Sequence, residues 1–322
     1  MSALLDVQNL KTYYFARRGV VKAVDGVSFS IDQGETLGLV GESGCGKTMT
    51  CHSILKLLPK PGGRIVEGQV LFEGEDLVLK TERQMRRIRG AKISMILQDS
   101  MTSLNPAYTI ENQVGEVFAI HQKLKGRALK EKVIEALKLV KIPAAETRLR
   151  AFPHQMSGGM RQRVAGAIAL GAKPSLIIAD EPTTALDVTI QAQYLNLLKE
   201  IQAETGVAMM FVTHDLGVVA RMCDKVAVMY AGRIVEKAEM KDLFRHPRHP
   251  YTIGLLACLP KMDAELDKLV SIPGQPPDLG ALPDGCHFAP RCPECMEICK
   301  QKYPEERLAR DEHYVSCWLV EK

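Results

Sequence analysis

Aromatic residues make up only 5% of the 322-residue chain, with a single tryptophan, and 42 Lys+Arg nearly balance 38 Asp+Glu. No stretch approaches the roughly 18 consecutive apolar residues that a membrane-spanning helix needs, and the start MSALLDVQNLK lacks the basic and then apolar pattern of a signal peptide. The net charge of +4 provides no basic stripe of the kind that nucleic-acid-binding proteins carry. We therefore expect a cytosolic globular protein that contacts no nucleic acid and reaches a membrane only through a partner.

The hydrophobic pattern predicts an α/β fold with a parallel sheet. Residues 3–40 contain partly alternating segments typical of strands, and SLIIAD, VAMMFVT and KVAVMY are apolar nearly throughout, as strands are when helices cover both faces of a parallel sheet. From about Thr81 to Ala172 the spacing is helical, with breaks at prolines, which predicts a helical insert. Beyond about His246 the periodicity fades, and we place a boundary near Gly254.

Cysteines are concentrated at one end of the chain. Five of the nine lie in the last 37 residues, at Cys286, Cys292, Cys295, Cys299 and Cys317. Disulfides are rare in a reducing cytosol, so clustered thiols there are more often metal ligands. A short segment with little periodicity buries little apolar area, and metal ligation would then supply much of its folding free energy. We expect a small Cys-rich, metal-binding extension.

The segment Gly41-Glu-Ser-Gly-Cys-Gly-Lys47-Thr48 fits the phosphate-loop pattern G-x-x-x-x-G-K-[ST] and lies between a predicted buried strand and a predicted helix. Glycines let successive backbone N–H groups converge on phosphate oxygens, and the helix N-terminus adds positive potential. Lys47 reaches the β and γ phosphates, and the Thr48 hydroxyl ligates Mg²⁺. The predicted loop contacts are Gly41, Ser43, Gly44, Cys45, Gly46, Lys47 and Thr48.

Two carboxylates follow the apolar segment Leu176–Ala179. Asp180 is placed to hold Mg²⁺ and Glu181 to polarise an attacking water, although solvated acids that cap the next helix would give the same pattern in isolation. His214 lies just past another apolar strand, at the sheet edge where ligands of open α/β folds bind, and there it can touch a γ-phosphate. A strand-end histidine is otherwise more often a hydrogen-bonded structural residue.

Residues 156–163, MSGGMRQR, resemble the signature sequence of ATP-binding cassette ATPases, with Met in place of the family's Leu and Gln at the two ends of the motif. The family's other motifs are present in order, with Gln98 as the Q-loop, residues 184–187 as the D-loop and His214 as the switch histidine. The resemblance implies an α/β, RecA-like P-loop ATPase core with an N-terminal antiparallel β subdomain. It also implies an ATPase domain of residues 1–254, with an inserted α-helical subdomain at about 100–172, and a C-terminal extension at 255–322.

The resemblance further implies how ATP is bound and split. Two ATP molecules lie between two ATPase domains, and Ser157, Gly158 and Gly159 of one domain complete the site of the other in trans. The implied catalytic residues are Lys47, Gln98, Glu181 and His214, and the implied Mg²⁺ ligands are Thr48, Gln98 and Asp180. For the aromatic residue that stacks on adenine, Tyr14 is preferred over Tyr13 and Phe15, with plain packing as the alternative for all three.

Three further segments resemble the dipeptide and oligopeptide transporter ATPases: DSMTSLNP at 99–106, HPYTIGLLACLP at 249–260 and IPGQPPDL at 272–279. This narrower resemblance implies a subunit that powers the uptake of di- or oligopeptides at the cytoplasmic face of the cell membrane. The implied partners are a second, related ATPase subunit in a heterodimer, two transmembrane permease subunits and, indirectly, an extracytoplasmic substrate-binding protein.

The cysteine tail agrees with the same group. Cys286, Cys292, Cys299 and Cys317 match the tail in which these ATPases hold a [4Fe–4S] cluster, whereas Cys295 has no counterpart. The spacing Cys292-x-x-Cys295 is also compatible with half of a zinc site, and free or disulfide-bonded thiols are a third possibility. We interpret the metal as structural, with redox sensing as the alternative role.

Two alternative functions stay open at this stage. The cargo of such a transporter can instead be nickel, an opine or an oligosaccharide, because the ATPase subunit does not line the substrate path. A soluble ATPase of the same superfamily, acting on DNA or on ribosomes, is the other alternative. Those relatives usually carry two ATPase domains, a long coiled coil or basic segments, and none of these is evident here.

Overall fold

The computed structural model describes residues 3–17, 19–98, 103–184, 186–259 and 271–320. Residues 99–102 of the predicted DSMTSLNP motif, Ala185 of the predicted D-loop and Pro260 of the HPY segment lie outside the described residues. The chain divides into two compact units. Unit 1 comprises Met1–Ile31, Thr36–Val78 and Thr213–Lys322, and unit 2 comprises Asp32–Glu35 and Leu79–Val212.

Strands and helices alternate over most of the chain. The strands are β1 (Leu5–Ala16), β2 (Gly19–Ile31), β3 (Thr36–Val40), β4 (Gly63–Phe72), β5 (Glu75–Asp76), β6 (Ile93–Ile96), β7 (Leu176–Asp180), β8 (Ala208–Thr213), β9 (Lys225–Tyr230), β10 (Arg233–Glu239), β11 (Arg307–Arg310) and β12 (His313–Val315). The helices are α1 (Lys47–Ile54), α2 (Glu82–Ile88), α3 (Ile110–His121), α4 (Gly126–Leu139), α5 (Ala145–Arg148), α6 (Gly158–Leu170), α7 (Val188–Thr205), α8 (Leu216–Met222), α9 (Met240–Arg245), α10 (Pro250–Ala257) and α11 (Glu297–Gln301).

Unit 1 contains the expected N-terminal antiparallel sheet, in the order β2-β1-β4-β5. Alternate residues of β1, among them Leu5 and Val7, are buried, which is the period-two pattern that predicted the strand. The sequence did not predict β4, because most of its side chains are exposed or half-buried and the apolar alternation is weak.

A second group of strands in unit 1 surrounds the phosphate-loop segment. The fully buried β3 pairs in parallel with β9, and β10 pairs antiparallel with β9 on one side and β12 on the other. The tail therefore contributes strands to unit 1, since β12 also pairs with β11. These short strands were not predicted, because β11 and β12 span four and three residues and carry almost no periodicity.

Unit 2 combines a parallel sheet with helices, as predicted. Strands β6, β7 and β8 pair in parallel, and every residue of β7 and β8 is buried. The carboxyl ends of parallel strands share one edge of the sheet. Strand β6 interrupts the stretch that was predicted to be helical from about Thr81, because four residues are too few for a strand to dominate the pattern.

Helices α3, α4 and α6 of unit 2 pack through apolar side chains. Helix α3 begins after Thr109, whose hydroxyl accepts a hydrogen bond from the N–H of Asn112 at 3.3 Å. Phe118 of α3 and Val133 and Leu137 of α4 are buried at the expected helical spacing. Within the described residues, no helix combines the length and the apolar character needed to cross a bilayer.

A buried histidine ties the tail strand β12 to the rest of unit 1. The ring of His313 contacts Glu236 through Nε2 at 2.7 Å and Asp242 through Nδ1 at 2.6 Å. Burial acts to lower the pKa of His313, but the hydrogen bonds to the two carboxylates outweigh it and the pKa is raised. A charged imidazole donates to both carboxylates at once, whereas the neutral ring can donate to only one.

We predict that His313→Gln destabilises the protein by roughly 2 kcal/mol at pH 6. A raised pKa in the folded state contributes stability that is complete below the unfolded value of about 6.5 and is lost as pH rises through the folded value. The difference between wild type and variant, measured by urea unfolding, should therefore shrink between pH 6 and pH 9. The exposed His154→Gln is the control, and a difference that stays constant or grows with pH would contradict the assignment.

Candidate functional site

Two of the three glycines of the phosphate loop in unit 1, Gly41 and Gly46, are required by close backbone contacts. A Cβ atom on Gly41 would lie 2.1 Å from the carbonyl oxygen of Met229, and one on Gly46 would lie 2.1 Å from that of Ala23. Gly46 also has a φ of +111°, which other residues rarely adopt. The loop is thus packed tightly between β2 and the end of β9, and a larger residue at either position would displace it.

Lys47 is buried at the start of α1, and its amine is held by the loop itself. Nζ donates to the carbonyl oxygens of Gly41 at 2.7 Å and Glu42 at 3.0 Å, and it lies 3.8 Å from the sulfur of Cys45. The loop side chains of Ser43 and Thr48 are exposed, and so is Gly44. The loop therefore presents its outer face and the N-terminus of α1 to solvent, where an anion can reach the backbone N–H groups.

The three candidate aromatic residues of β1 differ in their surroundings. Tyr13 donates its hydroxyl to Asp25 at 2.7 Å. Tyr14 is half-buried, with its ring so close to Gly62 that a Cβ there would lie 2.8 Å from it. Phe15 is 44% exposed, and the guanidinium of Arg64 lies 5.6 Å from its ring centroid. The structure thus accounts for Tyr13 by a part-buried hydrogen bond, and the role of Tyr14 stays a prediction.

His214 follows β8 and is exposed on unit 1, as is the adjacent Asp215. The Asp215 carboxylate caps α8 by accepting from the N–H groups of Gly217 at 2.8 Å and Val218 at 3.3 Å. The backbone N–H of Asp215 also donates to the hydroxyl of Thr213 at 3.0 Å. These bonds fix the turn that carries His214 and leave its side chain at the protein surface.

In unit 2, strand pairing brings Gln98 and Glu181 together. Ile96 of β6 is level with Ala179 of β7, so the residues two positions further along both strands are neighbours. The side-chain amide of Gln98 donates to Glu181 Oε2 at 2.9 Å, and the hydroxyl of Thr184 donates to the same oxygen at 3.1 Å. Asp180 is buried at the end of β7, and Glu181 follows it in the left-handed region with a φ of +45°.

The signature segment opens helix α6 of unit 2. Ser157 is the N-cap, and its hydroxyl accepts from the N–H of Met160 at 3.4 Å. Gly159 lies so close to α7 that a Cβ there would be 2.7 Å from Ile190. Met156, in place of the family's Leu, is 3% exposed and keeps the apolar anchor of the motif.

Gln162 of α6 was not identified as functional from the sequence. Its buried side-chain amide donates to the carbonyl oxygen of Pro182 at 2.5 Å. This bond connects the signature helix to the residue that follows Glu181. The sequence feature that could have identified Gln162 is its position inside the signature segment MSGGMRQR.

Four of the five tail cysteines line one small cavity in unit 1, and we call Cys286, Cys292, Cys299 and Cys317 the cysteine quartet. They are the four that match the resemblance. Cys295 is absent from the cavity wall, and its sulfur lies 3.7 Å from the carbonyl oxygen of Met296. None of the five forms a disulfide. As placed, no group of three or more His, Cys, Asp or Glu side chains among the described residues could hold a metal ion.

Three thiols of the quartet are poor acids in this setting. Burial raises the pKa of Cys286 to about 11 and that of Cys292 to about 11, and it raises the pKa of Cys317 as well. These three thiols are therefore protonated at neutral pH. Four cysteine thiolates are the donor chemistry of an iron–sulfur group, but the described side chains are not arranged to hold one, and binding one would release protons from these sulfurs.

Two family models match the chain. The model of the ABC transporter matches residues 24–184, and the model of the oligopeptide/dipeptide transporter C-terminal region matches residues 235–299. The first range contains the phosphate loop, Gln98, the signature and Glu181. The second contains the HPY segment and three members of the cysteine quartet.

Similar proteins and structures agree with these matches. The dipeptide transport ATP-binding protein DppD of Bacillus subtilis (strain 168) is 50% identical over 322 residues, covering 100% of this chain and 96% of DppD. The oligopeptide transport ATP-binding protein AppD of the same organism is 48% identical, covering 100% of this chain and 98% of AppD. The dimeric ATP-binding cassette MJ0796, solved in a post-hydrolysis state with ADP and Pi, aligns with a TM-score of 0.66 at 26% identity, covering 73% of this chain and 98% of that one. The chain therefore belongs to the ABC transporter family, among the ATPases of its dipeptide and oligopeptide transport branch.

Proposed function

We propose that the chain is the subunit of a peptide importer that binds and hydrolyses ATP. The observation that carries this proposal is the phosphate loop, in which close-packed glycines and the buried Lys47 present the N-terminus of α1 to an anion. The relatives DppD and AppD are 50% and 48% identical to this chain over its whole length and are named for dipeptide and oligopeptide transport. Their names favour peptide cargo over nickel, opines or oligosaccharides. The same names favour a transporter over an ATPase that acts on DNA or ribosomes.

ATP binding begins with an exchange of partners at Lys47. Its ammonium leaves the carbonyl oxygens of Gly41 and Glu42 and contacts the β and γ phosphates, which are stronger acceptors because they carry charge. The backbone N–H groups from Ser43 to Thr48 bind the remaining phosphate oxygens. Tyr14 stacks on the adenine ring.

Hydrolysis depends on the pair formed by Gln98 and Glu181. The amide of Gln98 and the hydroxyl of Thr184 both donate to Oε2 of Glu181 and so orient the carboxylate, which accepts a proton from the attacking water. His214 contacts the γ-phosphate and stabilises the charge that develops there. The side chains of Thr48, Asp180 and Gln98 would hold Mg²⁺, which neutralises phosphate charge when it is bound.

The signature completes a site on another ATPase domain. The N-terminus of α6, with Ser157 as its cap and Gly158 and Gly159 in its first turn, is a second anion site. The chain's own phosphate loop already provides one, so the second is available to the nucleotide of a partner. We propose a heterodimer with a related ATPase, bound to two permease subunits at the cytoplasmic face of the membrane and served indirectly by an extracytoplasmic binding protein.

The division into an ATPase domain at 1–254, a helical subdomain at about 100–172 and an extension at 255–322 is part of this proposal. The cysteine quartet lies in the extension and would hold a [4Fe–4S] cluster, with a single zinc ion as the alternative. The support is that its members are the four cysteines on the cavity wall. Such a group would contribute to the folding of a segment that buries few large apolar side chains.

We expect Glu181→Gln to lower ATP hydrolysis by the assembled transporter by roughly a hundredfold or more, because a general base is lost. ATP binding should persist, since Lys47 and the loop are unchanged. Glu204→Gln, on the exposed side of α7, is the matched control and should hydrolyse ATP normally. Turnover near the wild-type rate in Glu181→Gln would remove this residue from the mechanism.

The purified chain alone should hydrolyse ATP slowly, because it supplies only half of each site. Addition of the partner ATPase and the permease subunits should raise the rate. Ser157→Arg in this chain should abolish that increase while leaving ATP binding to the isolated chain intact, since the signature acts in trans. Fast hydrolysis by a verified monomer would contradict the shared site.

Substitution of each member of the cysteine quartet by serine should lower the iron and acid-labile sulfide that copurify with the protein. Cys295→Ser is the matched control and should retain both, because Cys295 does not line the cavity. Anaerobic purification followed by iron, sulfide and zinc analysis measures the outcome. If the wild-type protein contained zinc and no acid-labile sulfide, the bound group would be a zinc ion and not an iron–sulfur cluster.

A further inference from the structure

Three segments that ATP chemistry does not use meet at one residue of the phosphate loop, Glu42. They are His249-Pro250-Tyr251, Ile272-Pro273 and Arg291-Cys292, and we call them the clamp segments. They lie 200 or more residues from Glu42 in the sequence, and all belong to unit 1. Each contributes a contact at Glu42 or at the side chain that binds it.

Arg291 makes the strongest of these contacts. Its side chain is 3% exposed, and Nη1 and Nη2 donate to the two carboxylate oxygens of Glu42 at 2.6 and 3.0 Å. Nε donates to the carbonyl oxygen of Pro273 at 2.9 Å, Nη2 also donates to that of Ile272 at 3.3 Å, and Nη1 also donates to the hydroxyl of Tyr230 at 3.3 Å. A bidentate, part-buried pair of this kind fixes both partners in position and is not reproduced by lysine.

Tyr251 holds the backbone of the same residue. Its ring is fully buried, and its hydroxyl accepts a hydrogen bond from the N–H of Glu42 at 2.9 Å. Tyr251 is itself fixed, because His249 caps α10 by accepting the Tyr251 N–H at 3.0 Å and the ring packs against Tyr230 and Phe288. The hydroxyl has little freedom to follow Glu42 if the loop moves.

Glu42 in turn is connected to the residue that binds phosphate. Its carbonyl oxygen accepts from Lys47 Nζ at 3.0 Å, and the N–H of Cys45 donates to it at 3.3 Å. The N–H, the carboxylate and the carbonyl of Glu42 are therefore all engaged. A change in any clamp segment reaches Lys47 through this single residue.

The clamp segments also border the cysteine cavity. His249 and Pro250 line the same cavity as the cysteine quartet, next to Tyr251, and Cys292 of the quartet directly follows Arg291. The two side chains that hold Glu42 are thus each one residue from the cavity wall.

We infer that Arg291 and Tyr251 are positioning residues that hold the phosphate loop through Glu42, and that the packing around the cysteine quartet thereby tunes nucleotide affinity. The inference rests on the proposed binding of ATP at this loop. A preorganised loop binds phosphate more tightly because less conformational freedom is lost on binding. The tail would then be coupled to the nucleotide site although it supplies no group to the reaction.

The test measures the affinity of the full-length chain for a fluorescent ATP analogue in four single variants and two double variants. Arg291→Met and Glu42→Gln should each weaken binding by about tenfold, and the double variant should be no weaker than the worse single variant, because both remove one interaction. Arg291→Lys should weaken binding of the ATP analogue nearly as much as Arg291→Met. Lysine keeps the positive charge but cannot donate to both carboxylate oxygens of Glu42 at once. Tyr251→Phe should weaken binding further when it is combined with Arg291→Met, because the two side chains contact different groups of Glu42.

Controls separate this effect from general destabilisation. Arg310→Met removes an exposed arginine of the same tail and should leave affinity unchanged. Cys292→Ser should weaken binding in the wild-type background but not beyond the Arg291→Met variant, whereas Cys295→Ser should have no effect. Thermal unfolding of each variant identifies any that fail to fold, in which case Arg291→Lys and Tyr251→Phe carry the test.

The outcomes distinguish the two levels of the argument. If the wild-type chain binds no ATP analogue, the proposed function fails. If it binds, and the Arg291 and Tyr251 variants bind equally well, the clamp is wrong and the proposed function stands. Additive losses from Arg291→Met and Glu42→Gln would also overturn it, since independent effects do not act through the shared ion pair.

Discussion

The close approach of two glycines to neighbouring backbone is the constraint on which the site depends. Gly41 and Gly46 lie against the carbonyl oxygens of Met229 and Ala23 with no space for a Cβ atom. The phosphate loop is therefore set by contacts with two strands rather than by its own turn preferences. This packing buries Lys47, orients α1 and places the outer N–H groups of the loop at the surface, so each later step of nucleotide binding follows from it.

The groups proposed for hydrolysis are distributed over two compact units. The phosphate loop and His214 belong to unit 1, whereas Gln98, Glu181 and the signature belong to unit 2. Within unit 2, Gln162 and Thr184 connect the signature helix and the D-loop to the turn that carries Glu181. Neither unit by itself therefore carries all of the groups proposed for hydrolysis.

The C-terminal tail, whose metal site the sequence analysis interprets as structural, also contacts the rest of unit 1. Its strand β12 pairs with β10, His313 joins β12 to Glu236 and Asp242, and Arg291 contacts Glu42. Buried charge pairs of this kind do not add much net stability, because desolvation offsets most of their attraction. Such pairs instead fix the positions of the side chains that form them. In this chain, the pair of Arg291 and Glu42 fixes a residue of the phosphate loop.

The sequence by itself determined the parts whose chemistry is local. Gly41 to Thr48, Asp180 with Glu181, and Ser157 to Gly159 are contiguous motifs, and the apolar runs of β3, β7 and β8 predicted the strands that carry them. Only the tertiary structure decided which distant residues meet. Gln98 contacts Glu181 through the register of β6 and β7, Gln162 binds the carbonyl oxygen of Pro182, and Glu42 lies against Arg291. None of these pairs has a sequence spacing that encodes it, because each depends on how separate strands and loops pack.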